Sequence, residues 1–445
     1  MTIITQGLRE ESDAMSDYMF MLENHLTADQ SHILTEVEAA AAQSGISLFL
    51  TGGAIRDMLG GFAIRDLDFT VEGNALKLAK MIAQKGAAEI VSTDENRKSA
   101  ELRFPSGVTV EIGMARQERY AKPGGKAHVT PATIHEDLRG RDFTINALAL
   151  SLNKASRGLL LDPTNGLSEL ERKELRAATN YTLYDNPIRI FRLIRFKVRL
   201  GFQIAERTQA QYENARLSEV EKHIVQAALL DELQKVASEP NAADVVQALE
   251  QEKLLPLVSP ALTGSKVDHA GFAKLQKAKQ LLPFGLDLPI DHSALFFHFL
   301  GEKLSPKERA ALVSSLGMSK SAVEAWQKLE GKAKKLEKEL QSAKLAKPSA
   351  LYQLLSKVPG EQMLFLLAKS SQRIVNDRIR NYLQKYLPAA QEVTDAEVEE
   401  AGGAPGTPKF QKLKDQMISR KLDARPKKIA EPAPEAPVAP GNGRR

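Results

Sequence analysis

Apolar and polar residues alternate along residues 66–71, and this alternation predicts a half-buried β-strand. The polar positions include Asp66 and Asp68, which alternate with Leu67, Phe69 and Val71. Because alternate side chains leave a strand on the same face, we expect both aspartates on one face, about 6.5–7 Å apart at Cα. Two short carboxylates at that spacing can converge on one divalent cation.

A second predicted strand, residues 46–51, lies just upstream and is followed at once by Gly52 and Gly53. Glycines there let backbone N–H groups approach a phosphate, and a short helix over residues 54–59 would follow. A glycine pair alone is most often a tight turn. Asp-x-Asp alone is common on exposed strands, in calcium loops and in metal-dependent glycosyltransferases. Because the glycine pair and the Asp-x-Asp motif both occur within residues 49–73, they together indicate a site for a nucleoside triphosphate beside metal ions.

The pattern also predicts the elements around this core. Helices are expected over residues 16–44 and after Asn74, and a short strand over residues 89–92 precedes a polar connection over residues 93–99. Residues 108–112 alternate again and place Glu111 on the polar face. Most strand glutamates are simply solvated, but a site for two hard cations needs more oxygen ligands than two aspartates supply. Glu111 is therefore a candidate third carboxylate.

Arginines dominate the next two segments. A loop with Gly124 and Gly125 leads to a helix predicted over residues 137–150, which begins with Arg139, Arg141 and Asp142. These arginines suit phosphate oxygens and the aspartate suits ribose hydroxyls, although surface salt bridges are the alternative. A helix predicted over residues 185–202 then carries a basic stripe opposite its apolar face, formed by Arg189, Arg192, Arg195 and Arg199. We interpret the stripe as a surface that faces a nucleotide or a phosphate backbone.

Over residues 208–387, the sequence pattern predicts helices separated by proline-containing breaks. Its most basic segment, residues 332–347, is either an RNA-backbone surface or an exposed helix. The pair Asp291 and His292 has no further ligands at usable spacing and is interpreted as structural. Residues beyond 402 are rich in Gly, Pro and Ala, and residues 426–445 are expected to be disordered.

Composition narrows the class of protein without defining it. The chain has 445 residues, enough for two to four units, and 26% charged residues. It has no cysteine, which excludes disulfides and cysteine-bound metals. No signal peptide or membrane-spanning segment is evident, so we expect a cytoplasmic protein. A net charge of +5 permits a polyanionic partner but does not predict one.

The ordered motifs resemble the class II nucleotidyltransferases, the family of bacterial CCA-adding tRNA nucleotidyltransferases and bacterial poly(A) polymerases. The matching motifs, in chain order, are LFLTGGAIRDMLGG, RDLDFTVEG, VEIGMARQERYAKPGG, EDLRGRDFTINALAL and DNPIRIFRLIRFKVRLGF. The resemblance covers residues 49–202 strongly and the helical remainder weakly. A faint echo of a closing tail segment returns at residues 394–424.

The resemblance implies a role for each matching residue. Gly52 and Gly53 would lie against the triphosphate, and Asp66 and Asp68 would hold two Mg²⁺ ions, with Glu111 as the remaining acid. The other implied nucleotide-binding residues are Arg56, Asp57, Arg139, Arg141, Asp142, Asp185, Asn186, Arg189 and Arg192. The implied reaction is attack of an RNA 3′-hydroxyl on the α-phosphate of CTP or ATP, with loss of pyrophosphate.

Two positions depart from the family pattern. An arginine pair usually precedes the aspartate of the RRDF motif, but here Gly140 precedes Arg141, so one phosphate contact is either absent or supplied by Arg139. The base-reading motif is usually Glu-Asp-x-x-Arg, but here Asp185 and Asn186 occupy its first two positions. An asparagine amide can donate as well as accept, which weakens rejection of U or G. Either discrimination is looser or Asp185 takes over.

The family predicts an α+β fold, with a polymerase β-like head of about five strands in a mixed sheet and then helical neck, body and tail. We expect an N-terminal helical segment (1–44), a catalytic head (45–165), a neck (166–265), a body and tail that bind the tRNA acceptor arm (266–390), and a tail segment with the disordered C-terminus (391–445). It implies no membrane and no protein partner.

The leading hypothesis is an enzyme that builds or repairs the CCA end of tRNA. A poly(A) polymerase, or an enzyme that adds only A or only CC, is the close alternative, since the head motifs of these groups overlap. The Pro/Ala-rich tail favours tRNA over poly(A) addition. A catalytically silent RNA-binding relative is a remote alternative, because Asp66, Asp68 and Glu111 are all present.

Overall fold

A computed structural model describes residues 17–283 and 288–424. The chain divides into two compact units, of which the first comprises Met1–Ala273 and Phe296–Val323 and the second Lys274–Leu295 and Glu324–Arg445. The disorder expected for residues 426–445 lies outside the described residues. Within the described part, no helix is long and apolar enough to cross a membrane.

A mixed seven-stranded sheet organises the first unit, with strand order β3-β4-β5-β2-β1-β8-β9. Its strands are β1 (Ser47–Thr51), β2 (Leu67–Glu72), β3 (Glu89–Asp94), β4 (Ser99–Arg103), β5 (Thr109–Met114), β8 (Ala149–Ser151) and β9 (Leu160–Leu161). Two small sheets pair β6 (Arg116–Arg119) with β7 (His128–Pro131) and β10 (Glu174–Leu175) with β11 (Gln203–Ile204). The mixed sheet confirms the predicted fold class, although the expectation of about five strands was too low.

The central pair of strands sets the position of the acidic residues. β2 pairs with β5 in parallel, and Asp68 lies opposite Glu111 in the register. β2 also pairs with β1 antiparallel, which places Thr51 beside Asp68. Phe69 and Val71 are buried on one face of β2, and Val110 and Ile112 on β5, so the apolar residues hold the sheet against the core. The polar face is left for the site.

The helices of the first unit begin at recognisable caps. Thr27 forms a capping box with Gln30 at the start of α1, and the Asn74 side chain accepts a hydrogen bond from Lys77 N–H at the start of α3, as predicted. The helices are α1 (Ala28–Gln43), α2 (Gly53–Leu59), α3 (Ala75–Gln84), α4 (Ile134–Arg139), α5 (Gly166–Arg172), α6 (Thr182–Asp185), α7 (Arg189–Leu200), α8 (Glu206–Leu217), α9 (Gln226–Ser238), α10 (Ala242–Gln251) and α11 (Leu255–Val258). Residues 17–25 are also helical, so the predicted helix over 16–44 is interrupted before Thr27.

Helices alone follow α11 in the described residues. They are α12 (His269–Lys279), α13 (His292–Gly301), α14 (Pro306–Leu316), α15 (Lys320–Leu340), α16 (Pro348–Leu355), α17 (Gly360–Lys369), α18 (Arg373–Asn381), α19 (Leu387–Gln391), α20 (Asp395–Glu400) and α21 (Pro408–Asp423), with a π-helical turn at Tyr382–Tyr386. Pro306 and Pro348 occupy the first turns of α14 and α16, which explains the predicted breaks there. In the second unit, Phe410 and Ile418 of α21 pack in an apolar cluster with Val393 and Val398.

The helix predicted over residues 137–150 is wrong. The structure has α4, which ends at Arg139 with Gly140 as its cap, then a 3-10 turn at Thr144–Asn146 and strand β8. The Asp142 side chain accepts hydrogen bonds from the Phe143 N–H and from the Asn146 amide, so it stabilises a turn rather than a helix. Residues 147–150 are all buried without helical period because β8 is covered on both faces.

Candidate active site

A cavity of about 1220 Å³ opens beside the polar face of the sheet, within the first unit. The head contributes the glycine turn after β1 and the acidic ends of β2 and β5. Helices α7 and α9 contribute the facing wall. Most residues predicted from the sequence line this cavity, namely Gly52, Gly53, Arg56, Asp66, Asp68, Glu111, Arg141, Asp142, Asn186, Arg189 and Arg192. Asp57, Arg139 and Asp185 are not among its lining residues.

The carboxylates of Asp66, Asp68 and Glu111 face one another without compensation. Burial, followed by the Glu111 and Asp66 carboxylates, raises the pKa of Asp68 to about 7, against the lowering effect of Arg141. Within the described part of the chain, none of the three side chains forms a salt bridge. Three carboxylates that lie close together despite burial and mutual repulsion are typical of a cation-binding site.

Two aspartates and substrate oxygens fit Mg²⁺ better than a closed protein cage would. No three His, Cys, Asp or Glu side chains in the described residues are arranged closely enough to hold a metal ion among themselves. Mg²⁺ is commonly bound through one or two carboxylates together with substrate phosphates. Asp66 and Asp68 therefore fit such an ion when a triphosphate is present. Glu111 lies opposite Asp68 and contributes negative charge.

The glycine turn brings the backbone close to Asp68. Gly52 has a φ of 67° and a ψ of −122°, and a Cβ placed there would lie 3.8 Å from an Asp68 carboxylate oxygen. The Gly52 N–H donates to the Leu148 carbonyl at 3.1 Å, which ties the turn to the start of β8. The backbone conformation at Gly52, rather than the hydrogen bond of its N–H, explains why this position requires glycine.

We expect Gly52→Ala to destabilise the fold by about 1–3 kcal/mol, because alanine is strained at this φ and ψ. Gly53→Ala is the matched control, since Gly53 lies within α2 and its added Cβ would make only ordinary contact, 3.6 Å from the Arg56 guanidinium. Urea unfolding of both variants tests this difference. Equal loss of stability in the two variants would show that backbone strain is not the cause.

Arg141 lies on the head side of the cavity and points towards the glycine turn. Its guanidinium donates to Asp137 at 2.7 and 2.9 Å and to the Thr70 hydroxyl at 3.0 Å. Its remaining terminal nitrogen lies 4.0 Å from the position of a Cβ on Gly52. Arg139 is exposed on α4. Arg141 is thus the arginine of this pair that is placed to meet a phosphate at the glycine turn.

A continuous network of ion pairs and hydrogen bonds joins the head to α7 and α9. On the head side, Arg56 donates to Asp57 at 2.7 Å and to Asn146 at 2.6 Å, and Asn146 donates to Asp142 at 3.0 Å. Arg192 donates to Asp142 at 2.8 Å. The other links are Arg192 to Glu232, Arg195 to Glu232 and Glu239, and Arg199 to Asp57 and Glu239. The network therefore returns to Asp57 as a closed ring.

The four arginines of the stripe all line the cavity, and the interpretation that they face a nucleotide or a phosphate backbone stays a prediction. Arg192, Arg195 and Arg199 do share one face of α7, but buried carboxylates already neutralise them. Glu232 has no exposed surface, and Glu239 is 1% exposed. Phe196 lies between two of the cations, with Arg56 5.0 Å and Arg195 4.6 Å from its ring centre. The ion pairs of the stripe join the head wall of the cavity to the wall formed by α7 and α9.

Arg189 differs from the rest of the stripe. It donates only to the carbonyls of Thr182 and Gly140, both at 3.4 Å, and its buried Nε has no hydrogen-bond partner. Asn186 lines the cavity near the start of α7, whereas Asp185 does not. The Gly124 N–H reaches the Asp185 carbonyl at 3.4 Å, so the loop before β7 contacts this motif. Asn186 and Arg189 are thus the members of the motif that remain accessible to a ligand.

Sequence reasoning missed several residues of the site. Glu118 receives hydrogen bonds from Arg97, Arg116 and Tyr120, and despite burial its pKa falls to about 2. Asn146, Glu232 and Glu239 complete the ring. The spacing offered a signal, because Glu232 and Glu239 repeat after two helical turns, as Arg192 and Arg199 do. A search for acids at the spacing of the stripe would have found them.

The mixed sheet, the glycine turn and the paired aspartates are the features that the motifs predicted for a nucleotidyltransferase head. Residues 48–176 match the family described as Poly A polymerase head domain. This agrees with the resemblance found in the motifs.

Relatives extend the similarity beyond the head. The chain is 27% identical over 341 residues to the A-adding tRNA nucleotidyltransferase of Aquifex aeolicus, which covers 76% of this chain and 40% of that protein. It is 37% identical over 168 residues to the CC-adding tRNA nucleotidyltransferase of Deinococcus radiodurans, covering 38% of this chain and 45% of that protein. The chain thus spans less than half the length of these curated relatives.

A solved structure shows the same fold over most of the chain. It is a tRNA nucleotidyltransferase complexed with a primer tRNA and an incoming ATP analog, and it matches with a TM-score of 0.51 and 25% identity. The match covers 78% of this chain and 98% of that one.

Proposed function

We propose that the protein is a template-independent nucleotidyltransferase that builds or repairs the CCA end of tRNA from CTP and ATP. The observation that supports this most directly is the pair of uncompensated aspartates, Asp66 and Asp68, beside the glycine turn and Arg141. The similarity to tRNA nucleotidyltransferases supports tRNA as the substrate. The proposed location is the cytoplasm, where tRNA is processed.

Each side chain has a task in this reaction. Asp66 and Asp68 would hold Mg²⁺, which supplies charge neutralisation at the α-phosphate and lowers the pKa of the attacking hydroxyl. Arg141 and the turn at Gly52 and Gly53 would orient the triphosphate. A hydroxyl held in line with the departing pyrophosphate then attacks the α-phosphate, which needs no covalent enzyme intermediate.

The wall of the cavity that faces the aspartates would bind the base of the incoming nucleotide. Asn186 can accept and donate hydrogen bonds through its amide, and Arg189 can donate from its unpartnered Nε. Arg192 holds Asp142, whose pKa is lowered because Arg192 and Arg189 outweigh the effect of burial. Asp142 therefore stays ionised and can accept from a ribose hydroxyl. The ring of ion pairs keeps this wall at a fixed distance from the aspartates.

The extent of addition is the property to be tested first. Purified protein with Mg²⁺ would be offered tRNA transcripts that end before CCA, after C or after CC, with CTP, ATP or both. We expect addition to stop after CCA. Addition of A to the CC transcript alone would identify an A-adding enzyme, as the named relatives allow. Unlimited A addition to unrelated RNA would identify a poly(A) polymerase, and no addition would refute the proposal.

A further inference from the structure

One face of α9 lines the cavity and has no task in the mechanism above. The lining residues are Ala227, Ala228, Asp231, Gln234, Lys235 and Ser238. They recur at steps of three and four, so they form a single face. This face contains the only lysine that lines the cavity in the described part of the chain.

The arginines around the cavity are not available for a new anion. Each of those that line it, except Arg189, forms a salt bridge with a carboxylate. Several of these pairs are buried, and drawing an arginine away from a buried partner leaves an uncompensated charge, which is strongly unfavourable. Arg189 has a task in base recognition. An incoming phosphate therefore needs another cation.

Lys235 is such a cation. Among the described residues, its one salt bridge is with Asp231, one turn earlier on the same helix, at 2.9 Å. The two side chains are 47% and 56% exposed, so this ion pair is weak and opens easily. Lys235 and Asp68 line the same cavity, Lys235 from α9 and Asp68 from β2. Lys235 therefore faces the cavity from the wall opposite the glycine turn.

The cavity wall two turns before Lys235 is apolar. Ile224, Val225, Ala227 and Ala228 line the cavity there, and Val225 is 53% exposed. Because a helix rises about 1.5 Å per residue, Ala228 lies about 10 Å along α9 from Lys235, so a ligand that joins a base to a phosphate can reach both. The triphosphate already has the glycine turn and Arg141 on the head wall. The anion left for α9 is the RNA chain itself.

We propose that Lys235 binds the phosphodiester nearest the RNA 3′ end and that the apolar residues at the start of α9 contact its terminal base. This positioning role rests on the proposed function. Asp231 holds the lysine until RNA arrives and then competes with the phosphate for it. Lys235 thereby places the 3′-hydroxyl near Asp68 without contacting the nucleotide.

The test compares binding and turnover of a tRNA transcript that lacks CCA. Fluorescence anisotropy at several salt concentrations gives its Kd, and steady-state assays give KM for the transcript and for CTP. We expect Lys235→Gln to raise the RNA Kd and KM about 5- to 10-fold, to leave KM for CTP within about twofold, and to reduce the salt slope by about 1. Lys235→Arg should restore RNA binding.

Asp231→Asn separates this role from a structural one. If the two residues only stabilise α9, Asp231→Asn and Lys235→Gln should weaken RNA binding alike. We expect the opposite signs, because losing Asp231 frees the lysine and lowers the RNA Kd. Lys222→Gln is the matched control, since Lys222 also forms an exposed pair, with Glu219, but does not line the cavity.

The outcomes distinguish the two proposals. A wild-type protein that binds the transcript but never extends it would refute the proposed function, while the Kd comparison would still decide the role of Lys235. An unchanged RNA Kd in Lys235→Gln, or a rise in KM for CTP alone, would overturn the assignment of Lys235 to RNA.

Discussion

Replacing Asp68 with asparagine should abolish nucleotide addition and yet stabilise the free protein near pH 8. Addition should fall by at least about a thousandfold, because a neutral amide cannot replace the charge that holds Mg²⁺ at the α-phosphate. Stability should rise by about 1–2 kcal/mol, because the variant no longer buries a charged carboxylate and no longer places it beside Glu111 and Asp66.

The sign follows from the raised pKa. A carboxyl whose folded pKa is about 7 is disfavoured as a charged group, so wild-type stability declines as the pH rises from the ordinary aspartate range through 7. At pH 5 the folded wild type keeps Asp68 largely protonated, and the gain from asparagine should be smaller. Mg²⁺ should narrow the gap at pH 8 by stabilising only the wild type.

Urea unfolding at pH 5 and pH 8, with and without Mg²⁺, measures this pattern. Glu89→Gln is a suitable control, because Glu89 is an exposed acid on the same sheet that does not line the cavity. An active Asp68→Asn variant would remove Asp68 from the site. A variant less stable than wild type at pH 8 without Mg²⁺ would show that the three carboxylates are not in conflict.

The core of the head was predictable because its pattern is local. Strict alternation in β2 and β5 placed Asp68 and Glu111 on the polar face, and the register then set them side by side. The glycine turn followed from two adjacent residues. These features depend on the few residues around each position, which a sequence displays directly.

The errors arose where long-range contacts override local pattern. Residues 147–150 are apolar without a clear period, and pairing of β8 with β1 decides that Ala149 and Leu150 form a strand. The arginine stripe has the correct period, but its partners Glu232 and Glu239 lie roughly 40 residues further along the chain. A local window therefore shows the arginines but not the distant carboxylates that pair with them.

Outside the apolar core, substitutions in the ring of ion pairs should cause the largest loss in the free energy of unfolding. Glu232 is fully buried and accepts from Arg195 at 2.7 Å and from Arg192 at 3.1 Å. Burial alone would raise its pKa, but Arg195 and Arg192 together lower it. The carboxylate thus stays ionised, and its contribution to stability is present above the ordinary glutamate pKa and lost as the pH falls below it.

Glu232→Ala should lower the free energy of unfolding by about 3–5 kcal/mol, because it leaves two arginines without their shared carboxylate. Asp231→Ala, at the adjacent but exposed position, should cost no more than about 1 kcal/mol. Urea unfolding of both variants at pH 8 gives the comparison, and addition assays on the folded fraction give the consequence for the site. Because Arg192 also holds Asp142, we expect weaker nucleotide binding in Glu232→Ala even where it remains folded. Similar losses in the two variants would show that the buried ring does not join the head to α7 and α9.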